Sequence, residues 1–273
     1  MKFSVLMSVY HGDCALNFHD AFSSILTQTL VPDEVVIVVD GPISKDLRQK
    51  VVWATQQYGP RVYVANLETN LGLGRALAYG LNVVTYDVVA RMDADDIACP
   101  TRFAKQIAAM ENDKTLAIVG GQVIEFSSDS QQETLRMVPE TLSEIRQFAR
   151  KRSPFNHPAV MLRKSLILSA GGYQHFPNFE DYHLWIRCLC AELQVRNIPD
   201  VVVRMRTDQL YHRRGGMKYW LQAYAFRRFA WQLGINSRRE VFMCLCLTGV
   251  ACILPSCVRR ILYRYLLRER LNE

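Results

Sequence analysis

The sequence has no C-x-x-C pair, and no histidine cluster accompanies its eight cysteines. That pattern excludes the usual zinc frameworks. Most of the cysteines lie in apolar runs, where Cys acts as a small hydrophobe. No basic leader with an apolar stretch opens the chain, whose first residues read as a strand. The expectation is reduced thiols in a cytosolic compartment. A G-K-[S/T] phosphate loop is missing, which excludes a P-loop nucleotide site. Internal repeats and low-complexity tracts are also missing. Acidic residues run short in the tail: residues 201–273 hold 4 Asp+Glu against 14 Lys+Arg, a net +10. The preceding 200 residues are close to neutral, and the whole chain carries +7.

What is present suits a folded enzyme. Apolar residues make up 49% of the chain and charged residues 22%, ordinary values for a globular protein with a sizeable core. Residues 3–9 and the β-branched run Val35–Val39 read as strands covered on both faces. Apolar spacing at Phe18, Phe22, Ile25 and Leu26 reads as a helix. The alternation continues with helices over 44–57, 74–84 and 101–111 and strands over 61–66, 87–92 and 116–124. Such βα units predict a mostly parallel sheet, with ligands beyond the carboxyl ends of its strands. Tyr10, Asp40, Asn70–Arg75 and Asp93–Asp96 fall at or near those ends. Beyond residue 125 the pattern loosens. Residues 127–133 are polar and read as a loop, 141–151 as a helix, 159–162 as a short strand, 180–192 as a helix and 198–204 as a strand.

The strongest chemical signal is Arg91-Met92-Asp93-Ala94-Asp95-Asp96. Three carboxylates in four residues repel one another, and a hard cation relieves the repulsion. Mg²⁺ or Mn²⁺ takes one or two protein carboxylates and completes its shell with phosphate and water, so D-x-D suits a nucleotide diphosphate. Asn70-x-Gly72-x-Gly74-Arg75 opens a helix. Glycine lets backbone approach a ligand there, and a helix N-terminus favours phosphate. Asp40-Gly41-Pro42 reads equally as turn chemistry or as an acceptor for a base N–H. Glu180-Asp181 opens a later helix, where acids cap naturally. Read functionally, the pair offers a general base for an acceptor hydroxyl. His157 and His212 are candidate ligands or phosphate contacts, with structural roles as the alternative.

In the tail, residues 241–258 carry no charge over 18 positions, with Arg238-Arg239 and Arg259-Arg260 on either side. That length is the lower bound for a spanning helix, and Gly249, Pro255 and Ser256 weaken it. An interfacial or re-entrant helix followed by the basic stretch Ile261–Arg270 fits better and predicts contact with an anionic membrane surface. The alternative is a helix packed on the body of the protein.

Taken together these residues resemble the family 2 glycosyltransferases of bacterial cell-surface polysaccharide assembly. The matching segments are Ser8-Val9-Tyr10, Val38-Val39-Asp40-Gly41, Asn70-Leu71-Gly72, Arg91 to Asp96, Asn156-His157-Pro158 and Glu180-Asp181-Tyr182-x-Leu184-Trp185. They fall in the family's order over residues 1–215. The resemblance implies a GT-A fold, Rossmann-like, to which the tail pattern adds a helical, basic and partly apolar C-terminal extension at 216–273. It implies a nucleotide-sugar-binding half at 1–125 and an acceptor-binding half at 126–215. Tyr10, Asp40, Asn70, Gly72, Arg75, Arg91 and Asp93 would then form the nucleotide-sugar site, with Asp40 on the base and Asp93 near the ribose. Asp95 would coordinate Mg²⁺ or Mn²⁺, with His212 as a further ligand. Asp181 would be the base, with Glu180 supporting it or contacting the acceptor, and His157 and Trp185 would serve the acceptor or the structure.

The implied reaction is inverting transfer of one sugar from a UDP-linked donor to a glycan or polyprenyl-diphosphate-linked acceptor. The implied location is the cytoplasmic face of the inner membrane. The Q-x-x-R-W motif of processive synthases is missing, which favours one transfer per binding event. The second strand ends Asp40-Gly41-Pro42 where the family commonly has Asp-Asp-Gly-Ser, so nucleotide contacts made by those residues are in doubt. Two rivals differ in class. A sugar nucleotidyltransferase would carry a Gly-rich basic loop after its first strand, where this chain has Tyr10-His11-Gly12-Asp13. A nucleic-acid-binding protein would use the aromatic and basic tail at 219–228. The uncharged run beside that tail suits lipid better, so no nucleic-acid partner is expected.

Overall fold

A computed structural model of the chain describes residues 1–127, 130–208, 215–255, 258–259 and 269–270. Its first half alternates strand and helix: β1 (Phe3–Tyr10), α1 (Ala15–Leu26), β2 (Glu34–Asp40), α2 (Lys45–Tyr58), β3 (Val62–Leu67), α3 (Leu73–Val83) and β4 (Val88–Met92). There follow β5 (Ile97–Ala98), α4 (Arg102–Asn112), β6 (Leu116–Ser127), β7 (Ser130–Arg136), α5 (Leu142–Phe148), β8 (Met161–Arg163) and α6 (Lys164–Ser169). The last elements are α7 (Glu180–Cys190), β9 (Gln194–Arg206), α8 (Gly216–Gln232), α9 (Arg238–Ile253) and β10 (Glu269–Arg270).

The sheet runs β10-β7-β6-β8-β4-β1-β2-β3, with β9 against β6 and β5. β1 pairs in parallel with both β2 and β4, and β2 with β3. The continuous apolar runs of β1 and β2 follow from burial on both faces. Met7, Val9 and Ile37 belong to one core layer with Phe18, Phe22 and Ile25 of α1. Leu6, Val36 and Val38 belong to the opposite layer with Ala76, Leu77 and Leu81 of α3. Because side chains alternate along a strand, five apolar residues in succession fill both layers at once.

Parallel pairing joins β1–β4, as expected from the βα units, and also joins β6 to β9. β8 pairs antiparallel with both β4 and β6, so the whole sheet is mixed. The polar segment read as a loop is also corrected. Residues 130–133 belong to β7, which pairs antiparallel with β6. Its sequence, Ser-Gln-Gln-Glu-Thr-Leu-Arg, shows no apolar alternation, and the strand is set by backbone pairing with a neighbour already in place. The short strand expected at 159–162 begins at Met161, because Pro158 holds residues 157–159 in a 3₁₀ turn.

In the tail, α8 and α9 pack against each other, and Trp220 Nε1 donates to the Leu245 carbonyl at 3.2 Å. Ser237 and Glu240 form a capping box at the start of α9. No helix among the described residues is long and apolar enough to cross a membrane. Most of the basic stretch 261–270 lies outside the described residues, as does His212.

Candidate active site

The loops after β1, β2 and β4 collect at one end of the parallel sheet. Tyr10 and Asp40 are register partners at the ends of adjacent strands. The Tyr10 N–H donates to Asp13 Oδ2 at 2.9 Å, and the ring lies so close over Gly12 that a Cβ there would meet its hydroxyl at 2.5 Å. The turn therefore shapes itself around the tyrosine.

Asp40 is 2% exposed, and its carboxylate reaches across to the next loop. Oδ1 accepts the Leu71 N–H at 2.7 Å and Oδ2 the Gly72 N–H at 3.0 Å. Asn70 Nδ2 donates back to the Asp40 carbonyl at 3.1 Å. Gly41 adopts φ +83°, and a Cβ there would sit 2.5 Å from the Asn70 nitrogen. Asp40 thus fixes the Asn70–Gly72 loop and the start of α3, a positioning role for which the sequence offered only turn chemistry as the alternative to a base contact. Arg75 projects from the first turn of α3 and is exposed.

The acidic turn follows β4. Ligand oxygens of Asp93, Asp95 and Asp96 all lie within 4.8 Å of one another. Asp93 accepts a hydrogen bond from Arg91 Nη2. Arg91 is 1% exposed, and its Nε and Nη1 have no partner. Burial opposes its charge, but Asp93 outweighs burial and raises the guanidinium pKa. Asp96 is 1% exposed; Oδ1 accepts the Arg206 N–H at 2.7 Å, while Oδ2 is buried without a partner. Burial first, then the charges of Asp93 and Asp95, push the Asp96 pKa well above the usual carboxylate range. A buried carboxylate oxygen without a donor, beside two further carboxylates, fits a hard divalent cation.

The turn is held from two sides. Arg102, buried in α4, donates through Nη2 to the Arg91 carbonyl at 2.6 Å, and burial with the nearby Arg91 charge lowers its pKa to about 9. Arg206, at the end of β9, donates through Nε to the Asp95 carbonyl at 3.2 Å and stacks on the Phe126 ring at 4.7 Å.

Glu180 and Asp181 form the first turn of α7. Glycine lets α3 come close to them. A Cβ on Gly74 of α3 would lie 2.7 Å from the Gln174 carbonyl oxygen and 3.2 Å from Glu180 Cβ. Burial, followed by the charge of Asp181, raises the Glu180 pKa to about 7. His157 Nε2 shares a hydrogen bond with the Tyr173 hydroxyl at 2.9 Å. Burial and then Arg91 hold His157 well below its usual pKa, so it is neutral. Trp185 is fully buried, edge-on to Phe155 at 5.2 Å and to His157 at 5.9 Å.

Sequence reading missed Asp96 as the most constrained acid of its turn, Gly74 as the contact between α3 and α7, and both Arg206 and Tyr173. Asp96 and Gly74 stood inside quoted motifs. Arg206 and Tyr173 carried no local signal, because their partners lie far along the chain.

An acidic turn beyond the central strands of such a sheet, facing a carboxylate pair on a later helix, is the arrangement of a GT-A glycosyltransferase. Residues 4–169 match the family model described as glycosyl transferase family 2. The chain is 40% identical over 266 residues to the amylovoran biosynthesis glycosyltransferase AmsE of Erwinia amylovora, covering 96% of this chain and 97% of that one. It is 34% identical over 270 residues to an Escherichia coli UDP-Gal:alpha-D-GlcNAc-diphosphoundecaprenol beta-1,3-galactosyltransferase, covering 98% and 97%. Among solved structures, the mannosyltransferase PcManGT of Pyrobaculum calidifontis in complex with GDP-Man and Mn²⁺ aligns with TM-score 0.66 and 14% identity, covering 97% of this chain and 75% of that one. S. aureus TarS aligns with TM-score 0.59 and 18% identity over 85% of this chain, which spans 42% of the TarS chain. The protein belongs to glycosyltransferase family 2 and is a glycosyltransferase.

Proposed function

We propose that this glycosyltransferase moves one sugar, with inversion, from a UDP-sugar to a lipid-diphosphate-linked glycan during polysaccharide assembly. The observation that carries this reading is the buried, partnerless Oδ2 of Asp96 grouped with Asp93 and Asp95 across from Glu180-Asp181. UDP and a diphosphoundecaprenol acceptor are named for the E. coli relative, and the match to it runs nearly end to end. Polysaccharide assembly is named for the Erwinia relative.

In this reading residues 1–125 hold the donor and 126–215 the acceptor. Tyr10, the loop fixed by Asp40, and Arg75 receive the nucleotide. Asp93, tied to Arg91, faces the ribose. Asp95 and Asp96 hold Mg²⁺ or Mn²⁺, which when bound neutralises charge on the diphosphate. Asp181 accepts the proton of the acceptor hydroxyl as that oxygen attacks the anomeric carbon and the nucleoside diphosphate departs. Glu180 keeps its own proton to about pH 7, which suits support of Asp181 better than the role of base. The tail rests on the anionic cytoplasmic face of the membrane, near a lipid-borne acceptor.

Calorimetry of the full chain against UDP-, GDP- and TDP-sugars, with and without Mn²⁺, tests the donor assignment. Metal-dependent binding of UDP-sugars alone is expected. Binding of none, by folded protein, would refute the reading. A nucleoside triphosphate consumed with a sugar phosphate would favour the nucleotidyltransferase alternative.

A further inference from the structure

The helical pair α8–α9 leaves an apolar face uncovered. On α9, Phe242 is 71% exposed, Leu247 65%, Val250 59% and Ile253 86%. On α8, Met217 is 72% exposed and Leu221 54%. A helix apolar around most of its circumference is normally buried, and α9 is charge-free from Val241 to its end at Ile253. Exposed apolar side chains in such a cluster mark a contact surface.

Three observations identify the occupant. The exposed charged side chains of the pair are basic, among them Lys218, Arg228, Arg238 and Arg239, while its one acid, Glu240, is occupied by Arg150 and the Ser237 cap. Sixteen helical residues span about 24 Å, short of the roughly 30 Å hydrocarbon core, so α9 can lie in a bilayer surface and cannot cross it. The pair also borders the catalytic acids. Phe179 packs on Tyr219 at 5.6 Å and on Phe226 at 5.0 Å, and Asn178 Nδ2 donates to Gln222 Oε1 at 2.7 Å. Those residues immediately precede Glu180-Asp181 in the chain.

We infer that this face is a bilayer-docking surface. Its apolar side chains enter the boundary between headgroups and acyl chains, its arginines pair with anionic headgroups, and α8 thereby places the α7 acids at the membrane surface. This extends the lipid-linked acceptor reading and names the surface that serves it. The pairing leaves nucleotide binding untouched.

The test is flotation of the full chain with vesicles of phosphatidylcholine containing 30% phosphatidylglycerol, or of phosphatidylcholine alone, for wild type, Phe242→Glu with Ile253→Glu, and Arg238→Gln with Arg239→Gln. Wild type is expected to float with the anionic vesicles and to release as salt rises. The Glu variant should lose at least about tenfold in partition and the Gln variant should show a weaker salt dependence, while both retain native circular dichroism and unchanged Mn²⁺–UDP binding. Unchanged flotation of the Glu variant would overturn the assignment. So would a wild type that ignores vesicles and sediments as a dimer that the Glu variant dissociates, since a second copy would then cover the face. Loss of UDP binding by wild type would count against the donor reading, and flotation would still decide the docking surface.

Discussion

Replacing Gly74 by alanine sets local helix preference against long-range packing. Gly74 sits in the first turn of α3 without a left-handed backbone, so alanine fits the helix and gains about 1 kcal/mol of propensity. The new methyl would lie 2.7 Å from the Gln174 carbonyl oxygen, whereas ordinary contact begins at 3.4 Å. The opposing atom is backbone, so the segment before α7 must retreat by about 0.7 Å. Overpacking of this kind costs about 1–3 kcal/mol, which leaves a small net loss of stability of about 0–2 kcal/mol. The larger effect falls on chemistry. A shift approaching 1 Å in a catalytic group can cost on the order of 100-fold in rate, and here the displaced chain leads straight to Glu180 and Asp181. Urea unfolding and turnover, with the donor found by calorimetry, are the paired assays. Gly80→Ala serves as a control, because its methyl would strike Leu6 and Val38 in the core behind the sheet. That variant should lose stability without a selective loss of kcat. A Gly74→Ala enzyme with full kcat and raised stability would refute the packing argument.

Other outcomes follow from single side chains. Asp181→Asn should lower kcat by about 10²–10⁴-fold while Mn²⁺–UDP affinity, read by calorimetry, stays within a few-fold. Asp96→Asn should weaken Mn²⁺-dependent UDP binding more than metal-free binding, because it alters the buried oxygen that lacks a donor. Asp40→Asn turns an amide toward one of two backbone N–H groups and should cost about 1–3 kcal/mol by denaturant titration. Glu180 is raised in the folded state, so the unfolded chain loses this proton first, and stability falls as pH rises from about 4.5 to about 7. Glu180→Gln should remove that slope and be more stable than wild type at pH 8, by up to roughly 3 kcal/mol.

The parallel half of the fold was legible because its signal is local. A run such as Val35–Val39 reports two buried faces within five residues, and the acidic turn after β4 reports mutual repulsion within four. β7 was not legible, since its polar residues owe their conformation to β6. The same distinction divides the site. Asp93, Asp95 and Glu180-Asp181 announce themselves by clustering of like charge. Asp40 was visible as a residue while its work was not, because the backbone groups it holds lie about thirty residues away. Gly74 read as a flexible turn residue, and its structural meaning is a lack of bulk facing α7.

Arg206 ties the acidic turn to the last residues of β9, through its own N–H on Asp96 and its guanidinium on the Asp95 carbonyl. The turn that would meet the donor is thus stapled to a strand 110 residues further along the chain. Opening the two halves like a clamshell would tear those bonds and strand a buried carboxylate.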